Sequence, residues 1–197
     1  MTATRRSPGR PRDANVETTV LDSVLEVIET EGLGGLSMDE VAHRAGVSKA
    51  TIYRRWQSKE DLLIDVMARL SESVAAPDTG SIRGDLITVV SGVTTFMRSG
   101  SAGSIFPWLV GEMAAQTDIG RKYAETVIIP RRHALAEVIR RAVERGELHD
   151  DLDVELAVDM LTGPVILRKL MGFFRPVGDD WAEALVDRLL EGWRPGV

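Results

Sequence analysis

Between Glu40 and Glu60 the chain carries no acid, yet it places Arg44, Lys49, Arg54, Arg55 and Lys59 there, with Ser48, Thr51 and Tyr53 among them. Cations interleaved with hydroxyls and no opposing charge suit one kind of chemistry, the binding of a phosphate polyanion whose condensed counterions Lys and Arg displace. A second basic segment, Arg5-Arg6-Ser7-Pro8-Gly9-Arg10-Pro11-Arg12, precedes it; residues 1–12 hold four arginines and no acid. The formal net charge of −6 does not oppose this reading, because the acids lie elsewhere and a local basic face is what such a partner meets.

Those side chains need a rigid support, and the local residue types predict one. Ser37 is a good N-cap, and Glu40 three residues on completes a capping box. Val41, Ala42 and Ala45 form the apolar side of a helix of about two turns, and Gly46 can take positive φ to end it. Val47 plugs the angle between two helices. Ser48 caps a second helix over about 49–55, with Ala50, Ile52 and Trp56 as its buried side or end and Lys49, Thr51, Tyr53 and Arg54 outward. Two short helices joined by a glycine turn, the second one basic, are the plan of a helix-turn-helix that reads the major groove of DNA. The arm ending at Arg10 and Arg12 has no apolar periodicity; it is either a solvated tail or a segment that inserts arginine into an adjacent minor groove.

The segments Leu36-Ser37-Met38-Asp39-Glu40-Val41-Ala42, Ala45-Gly46-Val47-Ser48-Lys49-Ala50-Thr51-Ile52-Tyr53 and Ser58-Lys59-Glu60-Asp61-Leu62-Leu63 resemble the TetR family of transcriptional regulators, with the likeness spanning Thr18 to Met67. More weakly, the tail from Arg145-Gly146-Glu147-Leu148 through Asp153-Val154-Glu155-Leu156 to Gly163-Pro164 resembles a subset of them. Relatives often carry a bulky aromatic before the first hairpin helix; here Leu33-Gly34-Gly35 stands there, which predicts a looser connection. The resemblance implies backbone-phosphate contacts from Tyr53 and Lys59. It also implies a pocket for a small, apolar, unidentified effector in the C-terminal part.

The rest of the chain reads as all-α, with about nine helices. The first covers about 13–31, with Val16, Val20, Val24, Val27 and Ile28 on one face. After the hairpin, Ser58 caps a helix carrying Leu62, Leu63, Val66, Met67, Leu70 and Val74. Five more follow at about 81–98, 103–116, 118–145, 152–174 and 179–193, with Asp118 and Asp151 or Asp153 as caps and Gly146 as a stop. Pro130 and Pro164 fall inside helical patterns, where each should kink or break the helix. The expected division is a flexible basic arm at 1–12, a helix-turn-helix DNA-binding domain at 13–57, a connecting helix at 58–76 and a C-terminal effector-binding and dimerisation domain at 77–197.

Helix 152–174 is apolar on more than one face and must be covered on two sides. The residues predicted for a homodimer interface are Leu156, Met160, Ile166, Leu170 and Phe174, with Trp181, Leu185, Leu189 and Trp193 from the last helix. A dimer also suits a palindromic operator. Candidates for the pocket are Phe96, Met97, Phe106, Trp108, Leu109 and Met113, then Tyr123, Met160 and Leu167, with His133 or Arg168 as polar contacts. On the DNA side the candidates are Ser37, Met38 through its N–H, Arg44, Ser48, Lys49, Thr51, Tyr53, Arg54 and Lys59, together with Arg10 and Arg12.

Other function classes find little support. The absence of cysteine excludes disulfides, thiol catalysis and Cys-based zinc sites. No metal site or cofactor is expected, since His43, His133 and His149 stand apart and Asp150-Asp151-x-Asp153 lacks the rest of a calcium loop. No P-loop, H-E-x-x-H or G-x-S-x-G occurs, so no enzyme is expected. Neither a signal peptide nor a membrane-length apolar run is present, and a cytoplasmic location is expected. The sequence therefore reads as a homodimeric, ligand-released repressor. The rivals are a non-specific DNA-architectural protein and a small-ligand-binding protein on the same scaffold without a DNA role.

Overall fold

The computed structural model describes residues 12–72, 76–98, 100–171 and 180–194, with the side chains of 12–14, 72 and 102 left aside. Among the described residues the structure is helical and contains no strand. The chain divides into two compact units between Val66 and Met67.

The first unit holds α1 (Arg12–Glu31), α2 (Met38–Arg44), α3 (Lys49–Tyr53) and the start of α4 (Lys59–Glu72). Its apolar residues recur at helical spacing and are buried as a set: Val20, Val24 and Val27 on α1, Val41 on α2 and Ile52 on α3 are all 0% exposed. The Leu33-Gly34-Gly35 connection is a 3₁₀ turn rather than a loose link. It is entered through Gly32 at φ 72° and closed by the Leu36 N–H on the Leu33 carbonyl.

In the second unit α5 (Ile82–Arg98) packs on α6 (Gly100–Ala114), on α8 (Ile129–Glu144), on α9 (Val154–Met171) and on α10 (Trp181–Trp193). Its core draws on Ile82, Leu86, Ile139, Val158, Val186 and Trp193. The helix expected over 118–145 is α7 (Asp118–Tyr123), a π turn (Ala124–Ile128) and α8 in unbroken succession. The Ile129 N–H reaches back five residues to the Ala124 carbonyl, and Pro130, next in the chain, has no N–H to restore the four-residue pattern. Pro130 thus marks a change of helical phase, while α9 runs through Pro164 without ending.

The caps show which local rules held. Asp153 accepts the Leu156 N–H at 3.0 Å and is the cap of α9. The cap of α7 is Thr117, not Asp118: its hydroxyl accepts from Gly120 N–H at 3.1 Å. A carboxylate at the first helical position answers the dipole, but the geometry of capping belongs to the residue before it. Gly120 of α7 lies tight against the α6 backbone; a Cβ there would meet the Glu112 carbonyl and the Met113 nitrogen.

Candidate functional site

The hairpin is built from its caps. Ser37 Oγ accepts the Glu40 N–H at 3.1 Å, and Ser48 Oγ accepts the Thr51 N–H at 3.2 Å, so both helices begin with a hydroxyl on an orphan donor. Gly46 turns the chain at φ 64°. Only half of the first capping box forms, because the Glu40 carboxylate is taken by Arg44 Nε at 2.7 Å. The complete box is the next one: Ser58 Oγ accepts from Asp61 N–H, and Asp61 accepts from the Ser58 and Gln57 N–H groups. Trp56 is buried and its indole N–H donates to Asp65 at 2.8 Å, which ties the end of the reading helix to α4. Ala50, expected on the buried side, is exposed; Ile52 alone fills that side within α3.

The outward face of α3 presents cations and hydroxyls. Lys49, Tyr53 and Arg54 are exposed, Thr51 is half-buried with its hydroxyl 2.9 Å from that of Ser48, and Ser37, Ser48 and Lys59 are exposed. Met38 is buried, which leaves it only a backbone contact to offer. The charge around this face is less one-sided than its sequence. Lys49 Nζ lies 2.7 Å from Asp39, and Arg55 lies 2.5 Å from Glu17. Arg44 is committed to Glu40, Glu31 and the Thr30 hydroxyl. Glu40, with Glu31 beyond it, holds the Arg44 guanidinium above its ordinary pKa. Arg44 therefore braces α2 against α1 rather than standing ready for phosphate. Arg10 and the side chain of Arg12 lie outside the described residues.

The second unit contains a cavity of about 170 Å³. Four of the expected residues stand in its wall: Phe96, Met97, Phe106 and Tyr123. The others do not. Leu109 is buried outside the wall, Trp108 and Met113 are half-buried, and His133, Met160 and Leu167 are exposed. Arg168 lies over the Trp181 ring at 5.1 Å. Helical phase accounts for this, because α9 turns Leu161, Thr162, Val165 and Ile166 to the cavity and so must turn Met160 and Leu167 away. The polar residues of the wall that sequence reasoning missed are Ser71, Arg131, Arg132 and Thr162. A signal for Arg131 existed: Tyr123, Val127, Arg131 and Leu135 recur every fourth residue, so this arginine sits on an apolar stripe.

Burial pushes the Tyr123 phenol up to about 12, against a small opposing pull from Arg131. Burial also lowers the pKa of Arg131 from the usual guanidinium value. Each disfavours the charged form of a group that the apolar wall solvates poorly.

Among the predicted interface residues, Leu156, Met160 and Leu170 are exposed at 54%, 43% and 40%, and with Leu167 they form one stripe along α9. Ile166, Trp181, Leu185 and Leu189 are half-buried, the last three packed against the core of the unit. Trp193 is 4% exposed within that core, so it is spent inside the protomer. Phe174 lies outside the described residues. The outward positions of α10 are polar or small, among them Glu183, Ala184, Arg188 and Glu191.

Residues 20–66 match the bacterial regulatory proteins of the tetR family, and residues 76–189 match the tetracyclin repressor-like C-terminal domain. The chain is 38% identical to the TetR family transcription regulator SCO0332, whose crystal structure superposes with a TM-score of 0.75 over 92% of this chain and 100% of that one. It is 29% identical to the Uncharacterized HTH-type transcriptional regulator YdeS of Bacillus subtilis over 93% of this chain and 92% of that protein. It is 30% identical to the DNA-binding transcriptional repressor TetR of Mycobacteroides abscessus over 87% and 90%. This family consists of transcriptional regulators rather than enzymes; its members bind DNA operators, dimerise and bind small-molecule effectors. With the hairpin, the cavity and both domain matches in agreement, the chain belongs to the TetR family and is a DNA-binding transcriptional regulator.

Proposed function

We propose that the chain acts in the cytoplasm as a homodimeric repressor that a small effector releases from its operator. The observation that carries this reading is the outward face of α3 and its C-cap, where Lys49, Tyr53 and Arg54 are exposed and Thr51 is half-buried. These four meet bases and phosphates, while Ser37, Met38 N–H, Ser48 and Lys59 anchor the backbone. Arg10 and Arg12 extend the contact from the arm. The working division is an arm at 1–12, a reading domain at 13–57, a connecting helix at 58–76 and an effector and dimer domain at 77–197.

Two supports stand beside the reading face. The stripe of Leu156, Met160, Leu167 and Leu170 suits a two-fold contact, which would pair two heads on a palindromic site. The cavity supplies a place for an effector, and Ser71 of α4 lies in its wall, on the helix through which the chain passes from one unit to the next. An effector shifts the operator equilibrium only by its different affinity for the DNA-competent and released states. The relative named a repressor favours repression over activation.

The test is fluorescence anisotropy on DNA from upstream of the protein's own gene against scrambled DNA at physiological salt. A preference of about a thousandfold or more supports a specific regulator. Equal binding to both favours an architectural role, and binding to neither rejects the DNA reading.

A further inference from the structure

The cavity of the second unit holds a charge that nothing described in the protein answers. Arg131 enters its wall stacked on Phe96 at 6.0 Å, and among the described residues no carboxylate lies within ion-pair distance of it. Its neighbour Arg132 also lines the cavity, but its charge is already met, since it is bound to Asp159 at 2.5 Å and Glu155 at 3.2 Å. Two further polar groups in the same wall are unused. Tyr123 is 1% exposed and its hydroxyl has no hydrogen-bond partner among the described residues. Ser71 is 8% exposed and its Oγ is buried without one. Tyr123 and Arg131 both stand in the cavity wall, on the same four-residue stripe as Val127 and Leu135.

Buried polar groups in native proteins are satisfied, and exceptions mark a role or a missing partner. Here the missing partner must bring one negative charge and an apolar body. A single guanidinium balances a monoanion, and its planar fork matches a carboxylate in two parallel hydrogen bonds. The phenol can add a third donor. The body is bounded by size, because an apolar cavity of about 150 Å³ is known to take one benzene ring. At about 170 Å³ this cavity has room for a single ring or a short chain.

We infer that the effector is a small amphipathic carboxylate, its carboxylate on the Arg131 guanidinium and the Tyr123 hydroxyl and its hydrocarbon body against Phe96, Leu161 and Val165. This rests on the reading of the cavity as the effector site and names the class of ligand that site takes. The π turn at Ala124–Ile128 falls between the two recognition residues and sets their relative phase, in keeping with the use of such turns at functional sites.

The test uses the intact protein and three probes of one shape, 3-phenylpropionate, its primary amide and 3-phenylpropylamine, titrated by calorimetry. The carboxylate is expected to bind about tenfold or more tightly than the amide, and the amine weakest. Arg131→Met should abolish the preference for the acid while leaving amide affinity in place, and Tyr123→Phe should weaken the acid alone by a few-fold. Acid and amide binding alike, or a preference that survives in Arg131→Met, overturns the inference, as does failure of the acid to bind at millimolar concentration. Val165→Trp, which fills the cavity, separates this claim from the one beneath it. If acid and amide bind equally and both are lost in Val165→Trp, the cavity stands as the effector site and only the charge assignment falls. If the preference for the acid persists in a folded Val165→Trp protein, the ligand lies elsewhere and both readings fall.

Discussion

The chain has two tyrosines, one in each unit. Tyr53 is 50% exposed at the end of α3, while Tyr123 is 1% exposed in the wall of the cavity. The cations around them follow the same division. Near Tyr53, Lys49 and Arg55 have acids at hydrogen-bonding distance on the open surface. Near Tyr123, Arg131 has none. Exposed ion pairs are weak, so a polyanion can take over the cation and release the acid at little cost. A half-buried cation in an apolar wall is only partly hydrated, so it gains more from an anion that fits beside it. On the proposed reading the two regions meet anions in opposite ways, one by exchanging surface partners and one through a cation with no acid beside it among the described residues.

The largest expected effect sharpens the second half of that contrast. Gly120→Val would force a side chain into the Glu112 backbone at the α6–α7 crossing, and overpacking of this kind costs about 3 kcal/mol or more. Denaturant melts should show the loss, and a stability within about 0.5 kcal/mol of the parent would mean that the crossing is not tight. Next comes the buried phenol. With Tyr123 raised to about 12, the folded state keeps its proton while the unfolded chain loses its own near 10. The associated stability is fully present below about pH 10 and is lost as pH rises toward 12, amounting to about 2–3 kcal/mol. Absorbance titration of a Tyr53→Phe variant isolates this group, and ionisation near pH 10 without unfolding would break the comparison.

Smaller effects test the exchange at the surface. Lys59→Ala should weaken binding to all DNA sequences and flatten the salt slope by about one unit. Arg44→Met should leave that slope unchanged, because its guanidinium is held by Glu31 and Glu40; a lower slope would return Arg44 to the phosphate contacts. The smallest change belongs to Asp39→Asn, which frees Lys49 from its partner and should tighten DNA binding about two- to fivefold at low salt. Weaker binding would show that Asp39 positions Lys49 rather than competing with DNA for it.

Much of the first unit could be read from the chain because its determinants are local. Ser37, Gly46 and Ser48 act on groups within three residues of themselves, and the Val20-Val24-Val27 stripe is periodic in one helix. What could not be read there is the counter-charge, since Glu17 and Glu31 reach the basic face from another helix. The cavity was less legible for the same reason. Arg131 and Arg132 are adjacent and chemically identical, and only the path of α9 decides that Arg132 meets Glu155 and Asp159 while Arg131 does not. Met160 and Leu167 fit a pocket by type, but the phase of α9 sends them to the outer stripe.

The π turn has a consequence for how this protein tolerates change in length. A helix advances about 100° per residue, and the wide turn between Tyr123 and Pro130 takes up one extra residue that would otherwise turn the two halves of one rod by that much. Deleting a single residue from 124–128 would let the rod close into a regular helix with its two halves in nearly the same phase, whereas closing the turn at constant length would swing Tyr123 about a quarter turn away from Arg131. The turn works as a spacer measured in angle rather than in length: it takes up one residue between Tyr123 and Pro130 without turning the two halves of the site apart.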